Sequence, residues 1–424
     1  GNVVALRARV ATAVAAALID VPPTIGFQRG GMTGVDFGAS GSPPLWTPRS
    51  VMTGIDVLRA DDFASLRGQR IGLLTNHTGL AQDGTTTIDL LHGADKVELV
   101  ALFSPEHGIR GVEDSAVASG RDKRTGLVIH SLYGETRRPL SGMLEDLDTI
   151  VVDIQGIGAR FYTYMTTMAY VMEAAALHNL TVVVLDRPNP IGGVAIEGPI
   201  QDDTAAGFTG YFPMPIRHGL TLGELARLFN EQLEIGAELT VIEMTGWMRD
   251  AWFDWTGLRW VNPSPNMRNL NQAALYPGIG AIEGTNVSVG RGTDAPFEQI
   301  GAPWIDGVDL AEHLNARSLS GIRFYPVAFT PESSKYADQQ CGGIYMIVTN
   351  RDLLRPVRVG LEVAAALHRL YGDIFEIDAA VRLFGSLDTL NRIKADEDPS
   401  TIAQSWVADE AAWRRLRAPY LLYY

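Results

Sequence analysis

The chain has 424 residues, 46% hydrophobic and 20% charged, with a formal net charge of −14. That is too long for one ordinary core and holds ample apolar material for two, and the acidic balance argues against nucleic acid or an anionic membrane as partner, since both call for a basic face. No apolar run reaches the roughly 20 residues that span a bilayer, so no transmembrane segment is expected, and the single cysteine, Cys341, supports neither a disulfide framework nor a cysteine-based zinc site within one chain.

Arg7 and Arg9 precede residues 10–19, a short apolar run that imitates a signal peptide and is read as an N-terminal helix. Residues 21–50 carry Pro22, Pro23, Pro43, Pro44 and Pro48 among many glycines. They read as an arm, so 1–50 is expected to be a helix followed by a Pro/Gly-rich arm. An alternating pattern then begins. Residues 70–75 form a first strand that ends at Asn76 and His77, and 85–92 a helix whose Thr86 and Asp89 suggest a capping box. Residues 97–103 are a second, nearly all-apolar strand, 127–131 a short one, and 149–153 a third main strand running into Gln155. A helix at 164–178 has its apolar stripe at Met165, Met168, Ala169 and Met172. Residues 181–185 make a fourth main strand, ending at Asp186, Arg187 and Asn189. Apolar strands alternating with helices predict a parallel sheet covered on both faces, a Rossmann-like α/β domain over 51–215. Beyond it, Thr221 and Glu224 box the start of a helix, 239–244 reads as a strand, 246–304 as long loops, and 309 opens another helix. Strands at 322–329 and 343–348 and helices at 356–371 and 402–417 follow without simple alternation, which predicts an α+β C-terminal domain over 216–424.

In a parallel sheet the strand ends share one edge, so Asn76, His77, Glu106, His107, Asp153, Gln155, Asp186, Arg187 and Asn189 are expected to converge on one crevice. The sharpest stretch is Pro105-Glu106-His107-Gly108-Ile109-Arg110. Proline ends the strand ladder and glycine permits a sharp turn, leaving a carboxyl, an imidazole and a guanidinium at a buried strand tip. Desolvation there would raise the Glu106 pKa, as a general acid requires; the alternative is a structural clasp with Arg110. His77 and His107 read as bases, ligands or ordinary hydrogen-bonded residues. Asp153 and Asp186 could join Glu106 at a metal, but no spacing motif for one is present, so no metal is assigned. Gly156-Ile157-Gly158 follows a strand but lacks the third glycine of a dinucleotide loop, Phe161 standing in its place, so no cofactor is expected. Arg160, Tyr162 and Tyr164 read instead as a substrate-facing cluster, or as packing at the helix start. Two long polar stretches, one with Ser264 and Asn266 and one from Glu283 through Thr285, Asn286 and Arg291 to Thr293, read as functional loops. Arg291 is placed for an anion or for a salt bridge to an acidic neighbour. Trp247, Trp252, Trp255, Trp260 and Trp304 supply flat rings suited to sugar faces or to the core.

Taken together, Thr75-Asn76-His77-Thr78-Gly79, Phe103-Ser-Pro-Glu106-His107-Gly108, Asp153-Ile-Gln155 with Arg160-Phe-Tyr-Thr-Tyr164, Leu185-Asp-Arg-Pro-Asn-Pro-Ile-Gly-Gly193, Glu197-Gly-Pro199, Pro263-Ser-Pro-Asn266, Tyr276-Pro-Gly, Glu283-Gly-Thr-Asn286, Arg291-Gly-Thr293 and Gly301-Ala-Pro-Trp304 resemble one bacterial family. It is the exo-β-N-acetylmuramidases of peptidoglycan turnover (NamZ-like), formerly a domain of unknown function, and the likeness covers roughly 52–424. The resemblance implies a Rossmann-like N-terminal domain, a smaller C-terminal domain and an active site in the cleft between them. It implies an exported glycoside hydrolase, periplasmic or extracellular, acting in cell wall recycling. Its substrate would be a small carbohydrate or muropeptide, from whose non-reducing end it removes N-acetylmuramic acid, with Glu106 as the leading catalytic residue. The family commonly has Ser-Glu-Gly where this chain has Ser288-Val289-Gly290, so a second carboxylate would have to come from Glu283 or Asp153, or its role from the substrate's acetamido group. The alternative is a non-catalytic muropeptide- or sugar-binding protein.

Overall fold

The computed structural model describes residues 50–109 and 119–424; the expected N-terminal helix and arm, and Arg110, lie outside the described residues. A seven-stranded sheet holds β1 Arg70–Thr75, β2 Glu98–Ser104, β3 Gly120–Arg121, β4 Val128–Ser131, β5 Thr149–Asp153, β6 Thr181–Leu185 and β7 Glu238–Ile242, in the order β3-β4-β2-β1-β5-β6-β7. All neighbours are parallel except β3 and β4 at the edge. Counting the six parallel strands alone, the order is 3-2-1-4-5-6, the doubly wound arrangement whose switch point lies between β1 and β5.

The period-two rule explains why the strands are almost wholly apolar. Val151 and Val183 enter one core with Leu58 and Leu91, from helices Gly54–Ala60 and Thr87–His92. Their neighbours Ile150, Val152, Val182 and Val184 enter the other core, with helices Tyr164–Leu177 and Leu222–Gln232. The helix starts are capped as their sequences require. Thr86 accepts from the Asp89 N–H at 3.1 Å, and Thr221 and Glu224 form a reciprocal box.

The sheet runs past residue 215. β7, read from the sequence as part of the second domain, pairs in parallel with β6, and Leu222–Gln232 is the crossover helix that leads to it. The long connection from 186 to 221 disguised this last βα unit.

The rest is a smaller α+β assembly. β8 Gln299–Ala302, β9 Ile322–Phe329 and β10 Cys341–Val348 form an antiparallel sheet in the order β8-β10-β9. It packs with helix Gly307–Ala316, which in turn meets helix Pro356–Tyr371. Helix Leu270–Ile279 and β8 both fall in the stretch expected to be loop. Pro277-Gly278 reads as a break, yet Pro277 sits inside the helix, and Gly278 is required by packing. A Cβ there would lie 1.8 Å from the Pro356 carbonyl oxygen, and one at Gly360 would lie 2.4 Å from the Gly278 oxygen, so the two helices touch backbone to backbone. The last helix, Pro399–Arg417, returns to the first unit. Arg417 Nη1 donates to the Gly193 and His218 carbonyls at 3.0 and 3.1 Å, and the Tyr423 hydroxyl donates to Asp186 Oδ2 at 2.7 Å. Among the described residues no helix is long and apolar enough to cross a membrane.

Gly278→Ala should lower the unfolding free energy by about 1–3 kcal/mol, because the added methyl meets backbone that cannot rotate away. Urea denaturation should show an earlier midpoint with an unchanged slope; an unmoved midpoint would contradict the close crossing.

Candidate active site

At the tip of β2, Pro105 ends the ladder and the chain turns through two left-handed residues, His107 and Gly108, both at φ 72°. A left-handed histidine is an uncommon, strained conformation. The Gly108 N–H closes the turn on the Pro105 carbonyl at 3.2 Å. This leaves Glu106 half-buried. Its Oε2 accepts from the Thr163 hydroxyl. The Tyr133 hydroxyl lies beside the same carboxyl; burial first, then its hydrogen bond to Glu106 and the charge there, push it up to about 12. Tyr133 is therefore a permanent donor at neutral pH. Tyr164 braces the arrangement from behind: it accepts from Asn76 Nδ2 at 2.9 Å and donates to the Pro263 carbonyl at 2.7 Å.

Glu106 opens into a cavity of about 820 Å³, within the range of small-ligand sites. His107, Tyr162 and Thr163 line it from the first unit, and Ser264, Asn266, Tyr276, Glu283 and Arg291 line it from later in the chain. Arg291 grips Glu283 as a fork, Nε on Oε1 and Nη2 on Oε2, the second bond at 3.2 Å. So the salt-bridge reading of Arg291 holds, at the cavity wall. The loop that carries it passes close to a second one. A Cβ on Gly292 would lie 2.4 Å from the Ser333 carbonyl oxygen, and Lys335 Nζ donates to the Glu283 and Thr285 carbonyls. Phe161, Tyr162, Tyr276 and Phe297 meet edge to face, with centroids 4.8 to 6.1 Å apart, and form an aromatic wall.

The other strand ends do not reach this cavity, which corrects the expected convergence of four tips. Asp153 is fully buried and bound by Arg187, whose Nη2 is 2.9 Å from Oδ2, and by the Thr87 hydroxyl. Asp186 takes the Arg187 and Gly223 N–H groups and the Thr221 and Tyr423 hydroxyls. Both carboxylates are satisfied by protein, so neither is free for a metal or for substrate. His77 Nε2 lies 2.6 Å from the Asn262 carbonyl, and burial holds its pKa below the usual value, so it is a neutral tether. Gln155 donates to the Pro188 carbonyl at 2.7 Å, and Asn189 to that of Leu220 at 3.1 Å. Arg160, expected to face substrate, is buried and holds the Met214 and Leu383 carbonyls. Thr285 bonds the Ile282 carbonyl, Asn286 that of Ile374, and Thr293 that of Gly290. These polar residues found backbone partners first. Gly158 serves packing: a Cβ there would lie 2.4 Å from Asn189 Oδ1.

The tryptophans also went to packing. Trp247 meets Tyr423, Trp260 meets Phe253 and Trp304 meets Tyr371. The aromatic lining comes from Phe and Tyr instead. Val289, in the Ser-Val-Gly stretch, is buried in the core. Sequence reasoning missed Tyr133, Arg137, Thr163, Phe208 and Arg382, all of which line the cavity. Thr163 lay inside the suspected Arg160–Tyr164 cluster; Tyr133, Arg137 and Phe208 sit in connections and Arg382 in the four-residue helix Val381–Phe384, with no pattern to mark them.

Two adjoining families match the chain: "Exo-beta-N-acetylmuramidase NamZ, N-terminal" over residues 71–271 and "Exo-beta-N-acetylmuramidase NamZ, C-terminal" over 274–423. The chain is 43% identical over 382 residues to a peptidoglycan beta-N-acetylmuramidase NamZ of Bacillus subtilis, covering 88% of this chain and 91% of that one. Two crystal structures of DUF1343 family proteins from Bacteroides fragilis are similar in fold. One has a TM-score of 0.77 at 36% identity, covering 89% of this chain and 100% of the other. The second has a TM-score of 0.73 at 31% identity, covering 88% and 99%.

The geometry separates carboxylates satisfied by buried protein partners from those that face the cavity. Arg187→Met should cost about 3–5 kcal/mol, since it strands a buried Asp153 charge. Chemical denaturation should show this as a large loss of stability; a wild-type unfolding curve would return Asp153 to the list of accessible groups.

Proposed function

Because this chain belongs to the exo-β-N-acetylmuramidase NamZ family, we propose that it removes N-acetylmuramic acid from the non-reducing end of peptidoglycan fragments, with Glu106 as general acid in a cleft between the two units. The observation that carries this reading is the placement of Glu106. A carboxyl at the end of a buried strand, held by Thr163 and adjoining Tyr133, opens into a cavity of saccharide size. Glu106 donates a proton to the departing glycosidic oxygen as the ring takes on oxocarbenium character. The Thr163 and Tyr133 hydroxyls then hold the carboxylate that results. Glu283, fixed by Arg291 in the same cavity, supplies the second carboxylate and stabilises the positive charge on the ring until a water molecule bonds to C1 and gives up a proton, which restores the acid on Glu106 and completes the hydrolysis. Asp153 is withdrawn from that role because it is fully buried and does not line the cavity. The wall built from Tyr162, Tyr276 and Phe297 takes the apolar face of the sugar. The substrate lies outside the cytoplasmic membrane, so this reading places the enzyme in the periplasm or beyond it, in cell wall turnover.

Incubation with a chromogenic β-N-acetylmuramide tests the assignment. Glu106→Gln should lose about a hundredfold to ten-thousandfold in kcat, the span of general acid catalysis, while melting like the wild type. Thr163→Val, which removes only a hydrogen bond to that carboxyl, should lose about tenfold. Tight muramide binding by the wild type without turnover would favour a sugar-binding protein instead.

A further inference from the structure

Two arginines on the cavity wall have no role in the reaction described above. Arg137 follows β4 in the first unit, and Arg382 belongs to the short helix Val381–Phe384 near the end of the second. Other arginines around the site are spoken for. Arg291 holds Glu283, Arg187 holds Asp153, and Arg160 holds two carbonyls. Arg137 and Arg382 differ: among the described residues neither has a carboxylate within salt-bridge distance, and both side chains are exposed. Arg137 is held by rings, its guanidinium 4.2 Å from the Phe208 centroid and 5.6 Å from that of Tyr133. That stacking fixes the plane of the fork without using its hydrogen-bond donors. Both arginines act electrostatically on the Tyr133 hydroxyl, which itself adjoins Glu106. So among the described residues two cations without a salt-bridge partner line the cavity that Glu106 opens into, in a chain of net charge −14.

We propose that Arg137 and Arg382 form a two-sided clamp for a carboxylate on the sugar, and that this clamp selects acidic amino sugars over neutral ones. The proposal rests on the muramidase reading. Muramic acid differs from glucosamine by an ether-linked lactyl group on C3, which ends in a carboxylate. In the β-anomer the C3 substituent leaves the same ring face as the glycosidic oxygen, so a sugar seated with that oxygen at Glu106 carries its lactyl group toward the wall of the cavity that Arg137 and Arg382 also line. Each guanidinium offers the paired N–H donors that suit a carboxylate. Because the two come from different units of the chain, the bound anion also ties those units together.

Calorimetry with free N-acetylmuramic acid, its methyl ester and N-acetylglucosamine tests this on the intact protein. The wild type should bind the acid at least about tenfold more tightly than the ester, the scale of one charge-assisted contact. Arg137→Gln and Arg382→Gln should each narrow that ratio, and the double variant should bring it close to one. Arg382→Lys should keep part of it, and added salt should shrink it in the wild type. A wild-type preference that survives in the double variant would overturn the clamp and leave the muramidase reading standing. So would an equal loss of acid and ester binding, which would mark the arginines as structural. A wild type that binds none of the three sugars, or shows no preference for the acid, would sink the clamp and count against the muramidase reading itself.

Discussion

A carboxylate cut off from solvent must find a cation or several donors, and at the tip of β5 that requirement settles the layout of the site. Asp153 is fully buried, and Arg187 reaches it from the tip of β6 with two nitrogens while Thr87 adds a hydroxyl. Together they narrow the crevice at the switch point, where sheets of this strand order ordinarily take their ligands, to about 110 Å³ beside Thr78, Gln155 and Arg187. The open space lies to one side, over the tip of β2, where Glu106 points into it. The fold keeps the doubly wound frame, and its larger cavity among the described residues lies away from the switch point.

What could be read from the residues follows from this. The alternation of apolar strands with helices was plain over 70–185, because burial on both faces forces it into the sequence. The last βα unit was hidden by the long connection after β6, and helix Leu270–Ile279 by a proline and glycine that ordinarily punctuate loops. At the site, Glu106, His107, Tyr162, Ser264, Asn266, Glu283 and Arg291 were legible and do share a cavity. Asn76, Gln155, Arg160, Asn189 and Thr285 carried the same polar signal but use it to satisfy backbone carbonyls and hydroxyls. Residue type alone cannot tell a group that binds a ligand from one that pins a loop. Tyr133, Arg137 and Arg382 lay beyond reach for a different reason: only the fold brings the connection after β4 beside the short helix Val381–Phe384.

The cavity owes its shape to backbone contacts between loops rather than to rigid strands. Gly292 lets its loop pass against Ser333, Lys335 caps two carbonyls beside Glu283, and the Tyr336 hydroxyl donates to the Asn286 carbonyl at 2.7 Å. Arg160 extends the same tactic from the first unit, holding Leu383 next to Arg382. Glu106 and Glu283 are thus presented by segments far apart in sequence that are fixed to one another through main-chain oxygens. Their relative position depends on both units being in register.

The hydroxyl of Tyr423 rests on Asp186, 237 positions earlier in the chain, and Arg417 holds the carbonyls of Gly193 and His218 on the way there. Loop closure of that length has to be met before any of these contacts returns free energy. The corner of the parallel sheet beyond β6 is therefore completed only once the final helix has emerged from the ribosome. During synthesis the earlier-made half waits with that corner unsealed.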